Sequence, residues 1–181
     1  MKPDQAAVLQ ELRREFDASF AQEPRVDKVK QEMLLAIRVG GHGYALRIDE
    51  IAGLYADRPI TPIPTLQAEL KGLAGFRGRV APAYDLAGLL GYPIATEARW
   101  LVLARWPEPL ALIFEAFEGH FTAAAGDIVR APGTTLQVPP AQRPGIFDAV
   151  RYGAAMRPII DLPSFITQRI VESGPTRSKS S

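Results

Sequence analysis

The stretch GLAGFRGRVAPAYDL, residues 72–86, decides how the whole chain is read, because residues 145–162, GIFDAVRYGAAMRPIIDL, repeat its grammar. Each opens on glycine and an aliphatic residue, carries an arginine and a glycine in its middle, and closes on Pro-x-x-Asp-Leu. GLAGF and RVAPAY read as two strands around a tight Arg77-Gly78 turn. Asp85 and Asp161 then stand where a helix wants its N-cap. Gly91 stops the first short helix, whereas Pro163 suits the first turn of a longer one, SFITQRIVES (164–173).

The duplication extends upstream. LLAIRVGGHGYALRIDEIAGLY (34–55) lies over LVLARWPEPLALIFEAFEGHF (101–121) with a single gap. Arg38 then meets Arg105, Ala45 meets Ala111, Leu46 meets Leu112, Asp49 meets Glu115 and Gly53 meets Gly119. MLLAIRV and YALRI flank GGHG, a hairpin whose turn needs the positive φ of glycine. ITPIP (60–64) is extended, since each proline forces its predecessor out of the helical region. A strand-rich unit of about seventy residues therefore occurs twice. One such unit buries too little apolar surface to be stable alone; two facing each other share a core. Many short strands with regular Gly and Pro punctuation argue for small barrels or sandwiches over an alternating α/β fold.

The ends differ in texture. Residues 4–20 read as an amphipathic helix, with Asp4 as cap and Leu9, Leu12, Phe16 and Phe20 on one stripe, which buries against its own domain or a partner. AQEPRVDKVKQ (21–31) reads as a linker, and the polar tail GPTRSKSS as disordered. The expected organisation is a helix and linker over 1–30, one domain over 31–173 with halves near 31–95 and 96–173, and a tail at 174–181.

Composition narrows the function. The 181 residues are 47% hydrophobic, with 21 basic against 20 acidic side chains and no cysteine. That excludes disulfide staples, zinc-thiolate sites and thiol catalysis. No basic block interleaves with aromatics, so nucleic acid is not an expected partner. No apolar run approaches the ~20 residues that span a bilayer, and the charged amino terminus lacks a signal peptide's apolar core. The expectation is a soluble, cytoplasmic protein without direct membrane insertion.

Catalytic chemistry is poorly supplied. The two histidines, His42 in a glycine turn and His120 near a strand end, read as solvated. Serine is almost absent before the tail, Ser19 and Ser164 being isolated and Ser173 lying at its edge, with no nucleophile elbow, Walker loop or dinucleotide fingerprint around them. Asp85 and Asp161 need no role beyond capping, and the pair Asp49-Glu50 reads as solvated surface. No enzyme, cofactor or metal site is expected.

YALRIDEIAGLY, then ITPIP, then GLAGFRGRVAPAYDLAGLLG resembles the signature of CheW-like chemotaxis coupling proteins. In that family a block Gly-aliphatic-x-Asn-aliphatic-Arg-Gly-x-x-x-Pro-x-x-Asp-aliphatic follows a proline-bearing strand. The resemblance runs in order over about residues 32–172. It implies a mostly β fold of two pseudo-symmetric five-stranded SH3-like barrels with short helices. It also implies a non-catalytic adaptor between the cytoplasmic tips of methyl-accepting chemoreceptors and the regulatory domain of a CheA-type histidine kinase, recruited to membrane-attached arrays. The groove between the barrels would receive the receptor tip, and the outer end of the first barrel would meet the kinase. The partner-binding residues so implied are Ile51, Gly53, Leu73, Gly75, Arg77 and Gly78. Arg77 matches the family's arginine, and Ile51 an apolar receptor-facing position. Gly75 replaces the block's Asn, Gly53 stands where an acidic residue is usual, and FEAFEGHF is unusually aromatic. These changes fit a divergent or accessory coupler, one serving a chemosensory system other than flagellar swimming. Two other readings stay open: an assembly or localisation factor acting through the amino-terminal helix, and a small-molecule-binding barrel.

Overall fold

The computed structural model describes residues 31–94, 98–130 and 145–172; the expected helix over 4–20, the rest of the 1–30 segment and the tail lie outside the described residues. The first copy gives β1 (Gln31–Val39), β2 (His42–Arg47), a 3₁₀ turn (Ile48–Glu50), β3 (Ile51–Ala56), β4 (Ile60–Thr61), β5 (Leu70–Phe76), β6 (Arg79–Asp85) and α1 (Leu86–Leu89). The second gives β7 (Trp100–Ala104), β8 (Leu110–Phe114), β9 (Ala116–Ala124), a 3₁₀ turn (Ala125–Asp127), β10 (Ile128–Arg130), β11 (Ile146–Tyr152), β12 (Ala155–Ile160) and α2 (Leu162–Ile166). A π-helical turn, Thr167–Val171, prolongs α2.

Two six-stranded sheets result, ordered β10-β11-β12-β2-β1-β9 and β3-β7-β8-β6-β5-β4. Exchanging each strand for its counterpart in the other copy turns one order into the reverse of the other. The architecture is mostly β, two pseudo-symmetric SH3-like barrels. The copies also trade strands: each sheet joins the first two strands of one copy to the last four of the other. The copies meet in parallel pairs, Ala45↔Ile159 and Leu46↔Ile160 between β2 and β12 and Ala83↔Ala111 to Asp85↔Ile113 between β6 and β8, and in antiparallel pairs, β1 with β9 and β3 with β7. Burial explains the trade. LALIF of β8 is buried at all five positions, so it needs neighbours on both sides, and its own copy supplies only β7 on one of them.

Each sheet curls over a small core of its own. Leu34, Ala45, Val150 and Ile159 fill one; their counterparts Leu101, Ala111, Ala74 and Ala83 fill the other. A larger core lies between the sheets and draws on both copies, with Tyr44, Leu46, Leu112, Phe114 and Phe165 at its centre. The expected shared core is this one. The helix caps form as read: Asp85 accepts from the Gly88 N–H at 2.8 Å and Asp161 from the Ser164 N–H at 3.0 Å. The Tyr44 hydroxyl, pushed up in pKa by burial and by its bond to Tyr92, meets the Tyr92 hydroxyl at 2.7 Å.

Candidate protein-interaction site

The hairpin β5–β6 turns at Arg77-Gly78, with φ of +46° and +80°. Positive φ at both central residues is what a two-residue type I′ loop requires, because only that twist matches the strands. Gly78 adopts it freely. Arg77 does not, since a side chain in the left-handed region costs roughly 1 kcal/mol. The equivalent turn of the second copy puts only Gly153 at positive φ. Arg77 is exposed, and no hydrogen bond or ion pair holds it among the described residues.

Beneath the turn, the Phe76 ring packs 4.9 Å from the Tyr55 ring of β3. Arg58 lies over both rings, 4.9 Å from the Tyr55 centroid and 5.9 Å from that of Phe76. This contact closes the barrel and brings the end of β3 to the hairpin tip. One barrel end thus presents Arg58, Arg77 and Arg79, all exposed, with Val80 beside them at 62% exposure.

The six residues singled out from sequence divide. Gly75, Arg77 and Gly78 are exposed on the hairpin, and a side chain at Gly75 would meet open space. Gly53, half-buried on β3, has a structural reason for being glycine: a Cβ there would come within 2.8 Å of the Tyr55 ring and hydroxyl. Leu73 is half-buried between Thr61 and Pro82 of the neighbouring strands. Ile51, expected to face a receptor, faces inward instead. It is 8% exposed and belongs to the core between the sheets, because the register shift after it turns the first residue of β3 into that seam.

Sequence reading missed a charged hub at the opposite seam. Arg47 Nε is 3.0 Å from Glu32 and its Nη2 2.7 Å from Asp148, while Glu50 and Asp161 each lie 3.8 Å from Nη1. The first two partners are 15 and 101 residues away in sequence, so no local pattern announces the cluster. Glu50 is accordingly not the solvated surface acid expected of the Asp49-Glu50 pair. Its side chain is 14% exposed and accepts a 2.8 Å bond from the Leu162 N–H at the start of α2. A second, smaller cluster joins Glu118 to Arg38 and Arg157; desolvation opposes its ionisation, but the two guanidiniums win and hold its pKa down.

Burial, reinforced by Asp161, raises the Glu50 pKa to about 7 against the opposing Leu162 N–H and Arg47. Folded protein therefore keeps a proton that the unfolded chain has lost between its ordinary value near 4.5 and about 7. Over that window the unfolded state binds fewer protons, so this contribution to stability is complete below the lower value and lost as pH rises through the upper one. At ~1.4 kcal/mol per unit the loss is ~3 kcal/mol. Glu50→Gln is expected to flatten the stability–pH curve between pH 5 and 8 and to exceed the parent protein above pH 7. Urea titrations across that range check it; parallel curves for the two proteins would contradict it.

His42, stacked on Tyr92 at 5.2 Å, and His120 are both exposed. Among the described residues no group of acids and histidines is arranged to hold a metal ion, and no helix is long and apolar enough to cross a membrane.

Comparison with known proteins agrees with this geometry. The chain is 29% identical over 92 residues to Protein PilI of Pseudomonas aeruginosa, an alignment spanning 48% of this chain and about half, 52%, of that relative. The fold is shared with the scaffolding protein TtCheW from Thermoanaerobacter tengcongensis, at a TM-score of 0.61 and 17% identity over 71% of this chain and 88% of that one. The family profile described as the CheW-like domain matches residues 33–169, both copies of the repeat and the seams between them. The chain belongs to the CheW-like domain family.

Proposed function

We propose that this protein is a non-catalytic adaptor that couples methyl-accepting chemoreceptors to a CheA-type histidine kinase, drawn from the cytoplasm to receptor arrays. The CheW-like fold is a scaffold fold of chemotaxis type, which supports an adaptor of that general kind. The observation that carries the finer reading is Arg77: strained, exposed and without a hydrogen bond or ion pair among the described residues. Asparagine or glycine would serve the turn better, so the arginine answers a demand from outside the fold. Its planar fork of donors is suited to anchoring an interface, and the Arg58 and Arg79 neighbours make that barrel end complementary to an acidic face of the kinase's regulatory domain. Gly75 and Gly78 leave room for close approach, and Gly53 and Leu73 shape the strands that carry the tip. Buried Ile51 contributes from below, by holding β3 in place. Many weak contacts of this sort add up in an array.

Two substitutions separate binding from folding. Arg77→Glu is expected to abolish co-sedimentation with receptor and kinase while leaving thermal melting unchanged. Arg77→Asn should lose binding too, yet gain about 0.5–1 kcal/mol of stability by relieving the turn. Full co-sedimentation by both variants would remove Arg77 from the interface. Unfolding of the Glu variant would make it a brace within the barrel.

A further inference from the structure

The two-fold relation allows each half of the molecule to be compared with the other. β6 and β8 place Asp85 opposite Ile113. In the other sheet β12 and β2 place Ile160 opposite Leu46, so the next residues along, Asp161 and Arg47, hold the equivalent positions. Both aspartates cap a helix. There the likeness stops. Asp161 lies 3.8 Å from the Arg47 guanidinium, whereas Asp85 finds the apolar side chain of Ile113 where that arginine would be. Asp85 is 1% exposed and makes no ion pair among the described residues. Over it opens a cavity of about 380 Å³, walled by Ile60, Pro62, Ile94, Ala98 and Ile113, with Lys71 also lining it.

We propose that this cavity is a socket for an arginine side chain of a protein partner, whose guanidinium pairs with Asp85 as Arg47 pairs with Asp161. The chemistry of the lining selects that occupant. Apolar walls cover the methylene stem of a long cationic side chain, and a carboxylate at the base meets its charged end. Guanidinium is less strongly hydrated than ammonium and is the cation suited to a buried pair. Lys71 favours the Asp85 carboxylate more than Glu115 opposes it, and the Gly88 and Ala87 N–H groups add to that, yet no cation makes an ion pair with it among the described residues. Burial raises its pKa, with the Gly88 N–H opposing, which marks the carboxylate as incompletely stabilised until a cation arrives. The socket uses none of the hairpin-tip residues, so its test is independent of the reading of Arg77.

Propylguanidinium, which carries an arginine-like head and stem, serves as the probe. Titrated into the full chain, it is expected to shift the amide resonances of Lys71, Asp85, Ile94 and Ile113, whereas neutral propylurea leaves them in place. Asp85→Asn should weaken the probe's binding about 10-fold or more, as loss of a charge-assisted bond does, and asparagine keeps the helix cap, so the variant remains folded. Equal binding of propylurea, indifference to Asp85→Asn, or no shift at these amides overturns the socket. A native mass spectrum of the protein from its own cells supplies the last arm. A small cation retained by the parent and lost in Asp85→Asn would overturn the partner arginine in favour of a free ligand.

Discussion

Arg47→Met is expected to destabilise the domain by about 3–5 kcal/mol near neutral pH, the cost of removing one member of a desolvated ion cluster. The arginine side chain is 16% exposed and stands among four carboxylates drawn from β1, the first 3₁₀ turn, β11 and the cap of α2. Methionine keeps most of the apolar stem and removes the charge together with the donors to Glu32 and Asp148. What remains is four acids with no cation between them, at the seam where β2 meets β12 and the two copies are stitched together. The variant's loss should be pH-dependent. Glu50 already holds its proton up to about pH 7, so near pH 5 one of the four charges is absent and the repulsion is smaller. Near pH 8 Glu50 has lost its proton beside Arg47 in the parent, whereas the variant has no guanidinium to offset that charge, and the deficit is largest. Urea unfolding of parent and variant at both pH values measures it. A deficit under ~1 kcal/mol at pH 8 would class these contacts with ordinary surface pairs.

That hub shows where sequence reading stops. The repeat, the hairpin at GGHG and the two aspartate caps were legible because each is local: a glycine at a turn, an acid three residues before the N–H it accepts from. Even the mapping of Ala45 on Ala111 and Leu46 on Leu112 survives, since both pairs are central-strand residues of equivalent sheets. The trading of strands between copies was not legible. LALIF suits any central strand, and nothing in its pattern says that β6 of the other copy lies beside it. Glu50 read as surface for the same reason: the N–H it accepts from opens α2, more than a hundred residues later. The Arg77-Gly78 turn was visible, but the left-handed strain on Arg77 follows from the twist of the assembled hairpin. Ile51 matched an exposed position by pattern and is inward by virtue of a register shift that no one-letter string records.

Gly72→Ala is expected to cost ~4 kcal/mol or more, about twice the cost of Gly119→Ala. The two glycines share a backbone conformation, φ of +142° and +143°, a region that side chains enter only at a price of about 1–3 kcal/mol. They differ in what a Cβ would meet. At Gly119 the nearest atom is the Tyr152 hydroxyl at 3.9 Å, ordinary contact; at Gly72 it is the Thr61 carbonyl oxygen at 2.2 Å, with the Pro62 Cα at 3.0 Å. Backbone cannot swing aside as a side chain can. Relief requires β4 to leave β5, breaking the pairs Ile60↔Ala74 and Thr61↔Leu73. Because β4 is a two-residue edge strand, detachment caps the penalty and keeps the variant foldable. The excess over Gly119→Ala therefore measures the hold of β4 on the sheet, and amide exchange at Ala74 in the Gly72 variant should quicken in step with it. Equal losses for the two alanine variants would mean that β4 moves without cost, and that the 60–64 segment is no part of the barrel's closure.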